Sequence, residues 1–521
     1  MPRTPLFRLL GRALREAQAA NHLGMSSSEM VDGRRVHRVD RREFLAVTAA
    51  ATAGLALSGC KTAAPVEPPA DEGDPVLIVG AGIAGLTAAY RLGQKGIPAR
   101  VIEAQSRVGG RMYSIRNFFA DGQVAELGGE LIDTNHTEIR NLAAELGIAL
   151  DDLSLESPGI HADIFYFDGA VRTEEEVVEA FQPIAAMIER DLATLTGDDV
   201  TYRAPSNAEA LDRRTIAQWL DQNGVSGWIR TLLDVGYTTE FGLELDEQSS
   251  LNLLTMIDTN PDPFHIFGES DERFHTHDGN DTIPTALARR LERDVETNTF
   301  LESLSERADG SFLASVRRNG SSTTIRAPQV VLAIPFTILR DVRIDVELPP
   351  AKEAAIATLG YGTNAKVMVG FERRVWRDEY GSNGSVLTDL AFQLSWETSR
   401  KQEGRSGILT NFTGGRHGVE VGEGTDAEQA RKFAEDLDRV FPGIAAARGD
   451  SKAVRFHWPT FRLTRGSYAT YRPGQWTTLR GAEGEAVRNL FFAGEHCSLE
   501  FQGFMQGGCE TGEAAARAVA A

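Results

Sequence analysis

An α/β fold, in detail α+β with a Rossmann-like dinucleotide-binding domain and a second domain interleaved into it, is what the sequence predicts, and three observations predict it. Pro75 to Arg111 reads as strand, glycine turn, helix and second strand. Gln329 to Ile334 is a continuous apolar run ending at Pro335, the pattern of a strand buried on both faces of a parallel sheet. Between them, residues 151 to about 270 show helical periodicity (Glu174 to Thr194, Thr215 to Leu220, Ser226 to Val235) and few strand-like runs, as a separate inserted domain would.

Composition bounds the rest. A 521-residue chain with 42% hydrophobic and 25% charged residues is an ordinary globular protein long enough for two intertwined domains. No apolar run reaches 18 residues, so no membrane-spanning helix is expected. At the N-terminus, Asp40-Arg41-Arg42-Glu43-Phe44-Leu45 precedes an alanine-rich apolar run from Ala46 to Leu57 that is too short to cross a bilayer. This resembles a bacterial twin-arginine export signal. Leu57-Ser58-Gly59-Cys60 resembles a lipobox, which implies a lipid anchor on Cys60 and a periplasmic or membrane-anchored chain. Residues 1–59 are therefore read as signal, with Met25 and Met30 as alternative starts, and residues 60–74, rich in Pro, Ala, Glu and Asp, as a tether.

Setting aside the nine Lys and Arg and five Asp and Glu of residues 1–59 takes the formal net charge from −20 to −24. Such acidity argues against a nucleic-acid partner. It suits attraction of a cationic substrate, with plain solubility an equal reading. Beyond Cys60 only Cys497 and Cys509 remain, too few for a disulfide framework, and no His/Cys spacing suggests zinc, so no metal is expected.

Within Pro75 to Arg111, the run Val76 to Val79 leads into Gly80-Ala81-Gly82-Ile83-Ala84-Gly85, an apolar-periodic helix spans Leu86 to about Leu92, and the run Arg100 to Ile102 ends at Glu103. Gly80 allows the tight turn, Gly82 lets backbone N–H groups approach a pyrophosphate, and Gly85 lets the helix pack close on the strand. The phosphates then sit at the positive end of the helix. Glu103, 18 positions after Gly85, is placed to accept ribose hydroxyls, which favours a cofactor without a 2′-phosphate. Just beyond, Arg107-Val108-Gly109-Gly110-Arg111 resembles the FAD signature of the flavin amine oxidase superfamily. The resemblance implies FAD, with Arg111 on its diphosphate, a task suited to a planar bidentate fork.

The resemblance runs from Pro75 to the C-terminus and implies the remaining site. Glu126-Leu127-Gly128-Gly129 is a strand end with a glycine pair; the family passes Gly128 and Gly129 beneath the isoalloxazine ring, where a side chain would collide. Thr134 to Glu138 reads as a helix start with Thr134 or Asn135 as cap. Thr282 to Glu292 reads as a helix and Val295 as the strand residue whose backbone recognises adenine. His275 and His277 have no third ligand at metal spacing, so hydrogen-bonding roles are favoured. Tyr237, Phe241 and Phe264 are read as core before pocket.

Lys366, in the run Leu359 to Trp376, matches the lysine that holds a water against flavin N5 in the family. Trp458 matches the tryptophan beside the flavin. Ser467 stands where the animal monoamine oxidases carry the cysteine bonded to flavin, so FAD is expected to be non-covalent. Tyr468 and Phe504 fall on the two positions of the aromatic cage. In the closing motif, Gly494 and Glu495 are cofactor-binding candidates, with Glu495 reaching FAD hydroxyls. Gly503, Met505, Gly507 and Gly508 bring backbone N–H groups to the start of a helix from about Gln506 to Val519, where they hold the pyrimidine oxygen.

The implied activity is oxidative deamination of a primary amine to an imine, then aldehyde or keto acid plus ammonia, with O2 reduced to H2O2. An L-amino-acid oxidase of the same superfamily is the nearest alternative. Those enzymes often clamp the substrate carboxylate with an arginine at the place of Leu131, and Glu130 beside it is expected to repel a carboxylate; Arg273 and Arg462 offer another route. A flavin desaturase or porphyrin-type oxidase shares the opening motif but needs neither Lys366 nor a cage. From another class comes an FAD-binding lipoprotein without turnover. The expected FAD domain comprises residues 75–150, 271–347 and 454–521, the substrate domain residues 151–270 and 348–453, and a homodimer is left open.

Overall fold

In the computed structural model, which describes residues 74–521 apart from 155–158, 161–162, 198, 260–264 and 269, the chain opens with strand β1 (Val76–Val79), helix α1 (Ile83–Gln94) and strand β2 (Ala99–Ile102). Helix α2 (Thr137–Leu146), strands β3 (Ile164–Phe167) and β4 (Ala170–Arg172), and helices α3 (Glu174–Leu192) and α4 (Trp228–Phe241) follow. Strand β5 (Val330–Leu332) precedes β6 (Ala365–Phe371), β7 (Val386–Thr388), β8 (Leu394–Glu397), β9 (Gly407–Thr413) and β10 (Ala453–His457), and β11 (Leu490–Phe492) and α5 (Met505–Val519) close the chain. The signal, Cys60 and Phe264 lie outside the described residues.

Strands β2-β1-β5-β11 form a parallel sheet. Side chains alternate between the two faces of a strand, and here each face has its own core. Leu77, Val79, Val330, Leu332 and Phe492 enter one cluster; Val76, Ile78, Val331 and Phe491 enter another, shared with α1 and α5. Burial on both sides explains why these strands read as unbroken apolar runs.

The second sheet has seven strands in the order β10-β6-β9-β8-β7-β3-β4. Its β3 and β4 come from the stretch read as helical, and they join through the parallel pairing of β7 with β3. β4 is the hairpin partner of β3, while the β7 edge that β3 joins lies more than 200 residues away, which is why a short aromatic run there gave no strand signal. Strand β6, flanked by β10 and β9, is buried at all seven positions, Lys366 included.

Several boundaries differ from expectation. The cap of α2 is His136; Thr134 instead donates its N–H and Oγ1–H to Asp271. The helix read as Thr282 to Glu292 ends at Ala288. Val295 is not in a strand, and its neighbour Glu296 makes a single bridge to Ile102.

The strand-to-helix turn is tight because the backbone of Gly80 lies against Gly85. A Cβ on Gly85 would stand 2.0 Å from the Gly80 carbonyl oxygen. Gly85→Ala therefore forces backbone apart and should cost roughly 1–3 kcal/mol, as overpacking does, measurable by chemical denaturation of the cofactor-free protein.

Candidate active site

A cavity of 340 Å3 opens where the parallel strands end, lined there by Val79, Gly80, Ile102, Glu103, Ala333 and Gly494. Open α/β sheets bind ligands at this edge. Gly82 caps α1 without a side-chain hydrogen bond, so the first N–H groups of the helix are left for a ligand. A Cβ on Gly82 would meet no atom within 4 Å. The oxygens of Glu103 accept from the N–H groups of Ala81 and Gln105, both at 2.7 Å, and each oxygen keeps a lone pair for a hydroxyl. Burial pushes this carboxyl up. An uncapped helix end, an open cradle and a buried acid fit the dinucleotide expected from the sequence. Val295 does not belong to this lining.

Arg111 and Glu495 also line the cavity, and they are paired with each other. Arg111 Nη1 donates to Glu495 Oε1 at 2.7 Å and to the Ser467 carbonyl at 2.8 Å. Glu495 Oε2 accepts from the Gly503 N–H at 2.8 Å. The acid thus fixes the arginine and the Gly503 turn, a different task from reaching out to cofactor hydroxyls. Phe504 caps α5 with no side-chain hydrogen bond, so a second helix N-terminus faces the cavity together with Met505 and Gly508.

The glycine pair has a reason within the protein itself. A Cβ on Gly128 would lie 1.8 Å from the Arg111 carbonyl oxygen and 3.2 Å from the Trp458 ring, and one on Gly129 would lie 2.8 Å from Met505. Trp458 is anchored by its Nε1–H on the Leu127 carbonyl at 2.9 Å. Ser467 donates to Asn364 Oδ1 at 2.7 Å.

Lys366 is 5% exposed. Its ammonium donates to Glu130 Oε2 and the Gly128 carbonyl at 2.8 Å and to the Glu126 carbonyl at 3.3 Å. The negative charge of Glu130 is therefore spent on Lys366, which corrects the expectation that it stands ready to repel a substrate carboxylate. Tyr468 and Phe504 both line the cavity. Tyr468 Oη donates to the Glu240 carbonyl at 2.6 Å, and Phe504 packs on His136 with ring centroids 5.1 Å apart. His136 Nδ1 accepts from the Asp133 N–H at 2.9 Å, so Nε2 carries the proton of the neutral ring and faces Asp133 Oδ2 at 3.3 Å. Burial pushes His136 down to about 3 and Asp133 up to about 6.

The rest of the lining was not visible as a site in the sequence. Asp133, Glu240, Glu272, Trp396 and Phe412 converge from separate segments, together with Leu131 and Phe241. Tyr237 is core, as expected. His275 and His277 both turn to Asp151, at 3.6 and 2.8 Å, and among the described residues no group of three or more His, Cys, Asp or Glu is arranged for a metal. Cys497 and Cys509 are free and buried, and burial pushes both thiols well up.

Glu126, two residues before the glycine pair, is buried and pushed up to about 7 by lost hydration. It keeps a proton that the unfolded chain sheds above about pH 4.5, so its contribution is complete below that pH and lost as pH rises through 7. Denaturation of the cofactor-free protein should show stability falling across this window, with a Glu126 share on the order of 3 kcal/mol. Glu126→Gln should flatten that part of the slope.

Residues 83–520 match the sequence profile of the flavin containing amine oxidoreductase family. Among curated proteins, a flavin-containing amine oxidase of Danio rerio is 27% identical over 459 residues, covering 85% of each chain. An L-amino acid dehydrogenase of Synechocystis is 24% identical over 85% of this chain and 94% of its own, and an L-amino-acid oxidase of Vipera ammodytes ammodytes is 23% identical over 85% and 92%. Among solved structures, cyclohexylamine oxidase from Brevibacterium oxydans superposes with a TM-score of 0.75 at 24% identity, over 87% of this chain and 99% of its own, which shows a common fold. The chain belongs to the flavin containing amine oxidoreductase family, and is an FAD-dependent oxidoreductase acting on amines.

Proposed function

We propose that the chain oxidatively deaminates a primary amine that bears no α-carboxylate, giving an imine that water converts to a carbonyl product and ammonia. One observation carries this reading. The cations of the described lining, Arg111 and Lys366, are each paired with a carboxylate of the same cavity, Glu495 and Glu130. Asp133, Glu240 and Glu272 add acid without a further cation. An ammonium substrate is drawn in, while a carboxylate meets no uncommitted guanidinium or ammonium. Of the two other candidate clamps, Arg273 is held by Asp152 at 2.6 Å and Arg462 stands over the Phe300 ring at 5.6 Å, and neither belongs to the described lining.

FAD bound here would supply the acceptor for the hydride equivalent of the C–H bond beside the nitrogen and the reductant that takes O2 to H2O2. The uncapped starts of α1 and α5 would hold its phosphates and pyrimidine oxygen, and Glu103 would take ribose hydroxyls. Ser467 offers no thiol for a covalent link, so the cofactor is non-covalent. Tyr468 and Phe504 flank the amine, strip its water and favour the neutral form. Lys366 holds positive charge against the Gly128–Gly129 turn, where negative charge accumulates during oxygen reduction. Residues 75–150, 271–347 and 454–521 serve as the FAD domain, residues 151–270 and 348–453 as the substrate domain. The Arg41-Arg42 pair and the apolar run after it support export by the twin-arginine route, with Cys60 as lipid anchor.

An L-amino-acid oxidase is the second reading, favoured by relatives that bear that name. Peroxide release from the yellow protein against aromatic monoamines, polyamines and L- and D-amino acids separates the two. Simple amines should turn over, and turnover confined to L-amino acids would overturn the proposal. A second measurement concerns the cradle. Gly82→Ala should leave the cofactor-free protein as stable as the parent to within about 0.5 kcal/mol yet release FAD more readily, seen as rising flavin fluorescence on dilution.

A further inference from the structure

We infer that Glu130 is a positioning residue for the amine oxidation: it holds Lys366 as an ammonium against the Gly128–Gly129 turn and, by occupying it, denies it to a substrate carboxylate. The inference rests on the reading of Lys366 given above and goes beyond it. The ammonium has three N–H donors, and loop 126–130 takes all three, through the Glu126 and Gly128 carbonyls and the Glu130 carboxylate. The Trp396 ring stands 5.1 Å from the nitrogen. Both oxygens of Glu130 are committed as well. Oε2 takes Lys366, and Oε1 accepts from Thr398 Oγ1 at 2.8 Å, which in turn lies 2.5 Å from Thr410 Oγ1.

Both side chains are nearly inaccessible, 6% for Lys366 and 4% for Glu130. A buried charge without its partner is strongly disfavoured, so each member sets the ionisation of the other. Two further titratable groups bear on the pair from neighbouring segments. Glu126 bonds Ser114 and the Asn280 N–H and keeps its proton to about pH 7, and His275 is held neutral by burial. Neither side chain is bonded to the ammonium, which leaves Glu130 as the one carboxylate bonded to it among the described residues. Three segments distant in sequence are tied by this unit: loop 126–130, β6 and the turn after β8.

The test uses the FAD-loaded full chain and four variants, Glu130→Gln, Glu130→Asp, Lys366→Met and the double variant Glu130→Gln/Lys366→Met. The readouts are the flavin midpoint potential and the rate at which O2 reoxidises pre-reduced flavin, both against pH. Lys366→Met should slow reoxidation on the order of 100-fold at every pH. Glu130→Gln keeps the shape and the Thr398 contact but strips the counter-charge, which leaves the buried ammonium without its partner. This variant should show a pH step absent from the parent, with near-parent rate and potential below it and rates approaching those of Lys366→Met above it. The double variant should match Lys366→Met without the step, and Glu130→Asp, which keeps the charge, should restore the parent profile. Glu130→Gln with the parent profile beside a slow Lys366→Met would overturn the role of Glu130 and leave that of Lys366 standing. Parent behaviour in Lys366→Met would remove both.

Discussion

A lysine near the start of a buried strand has to be neutralised, and the rest of the site follows from how this chain does it. β6 runs between β9 and β10, so Lys366 has no route to solvent along its own sheet. Its partners come from outside that sheet, out of loop 126–130. For that loop to come so near, Gly128 must pass under the Arg111 carbonyl at a distance no side chain permits. Charge compensation and close backbone approach are thus one constraint seen from two sides. The loop is held by the Lys366–Glu130 ion pair and by the Trp458 Nε1–H on the Leu127 carbonyl, and Met505 stands where a side chain on Gly129 would be.

The second organising element is a pair of helix starts. α1 and α5 pack against each other through Gly508 and Gly512, where a Cβ would meet Ile83 and the Ala84 carbonyl at 2.6 and 2.3 Å. Their N-termini reach the same cavity with side-chain caps on neither. Two uncapped helix ends concentrate partial positive charge in a space that otherwise collects acids. That contrast separates the regions of the cavity, one suited to phosphate and an electron-rich ring, the other to an ammonium.

Much of this was legible in the residues because the physics is local. Val76 to Val79 could only be a doubly buried strand, Gly80 to Gly85 only a tight turn into a helix, and Glu103 follows at the strand end. The family resemblance placed Lys366, Tyr468 and Phe504 in one list, and the fold brings all three to one cavity. What escaped was non-local. Glu130 and Lys366 are 236 residues apart, so the sequence displayed an acid without the base that consumes its charge. Strands β3 and β4 exist only because β7 offers an edge. Asp133, Glu240 and Glu272 look like unrelated surface acids until α4 and the segment before Phe274 fold onto the same space. The cap at His136 was missed for a similar reason: Thr134 has a better partner in Asp271, far along the chain.

The two buried cysteines acquire a meaning in this light. Peroxide attacks thiolates and largely spares thiols. Cys497 follows Glu495 closely in the chain and Cys509 lies in α5, so both belong to elements that border the cavity. With their ionisation suppressed by burial, neither presents the form that an oxidant leaving the active site would consume. The peroxide of the proposed reaction would meet thiols, not thiolates, in the elements that border the cavity.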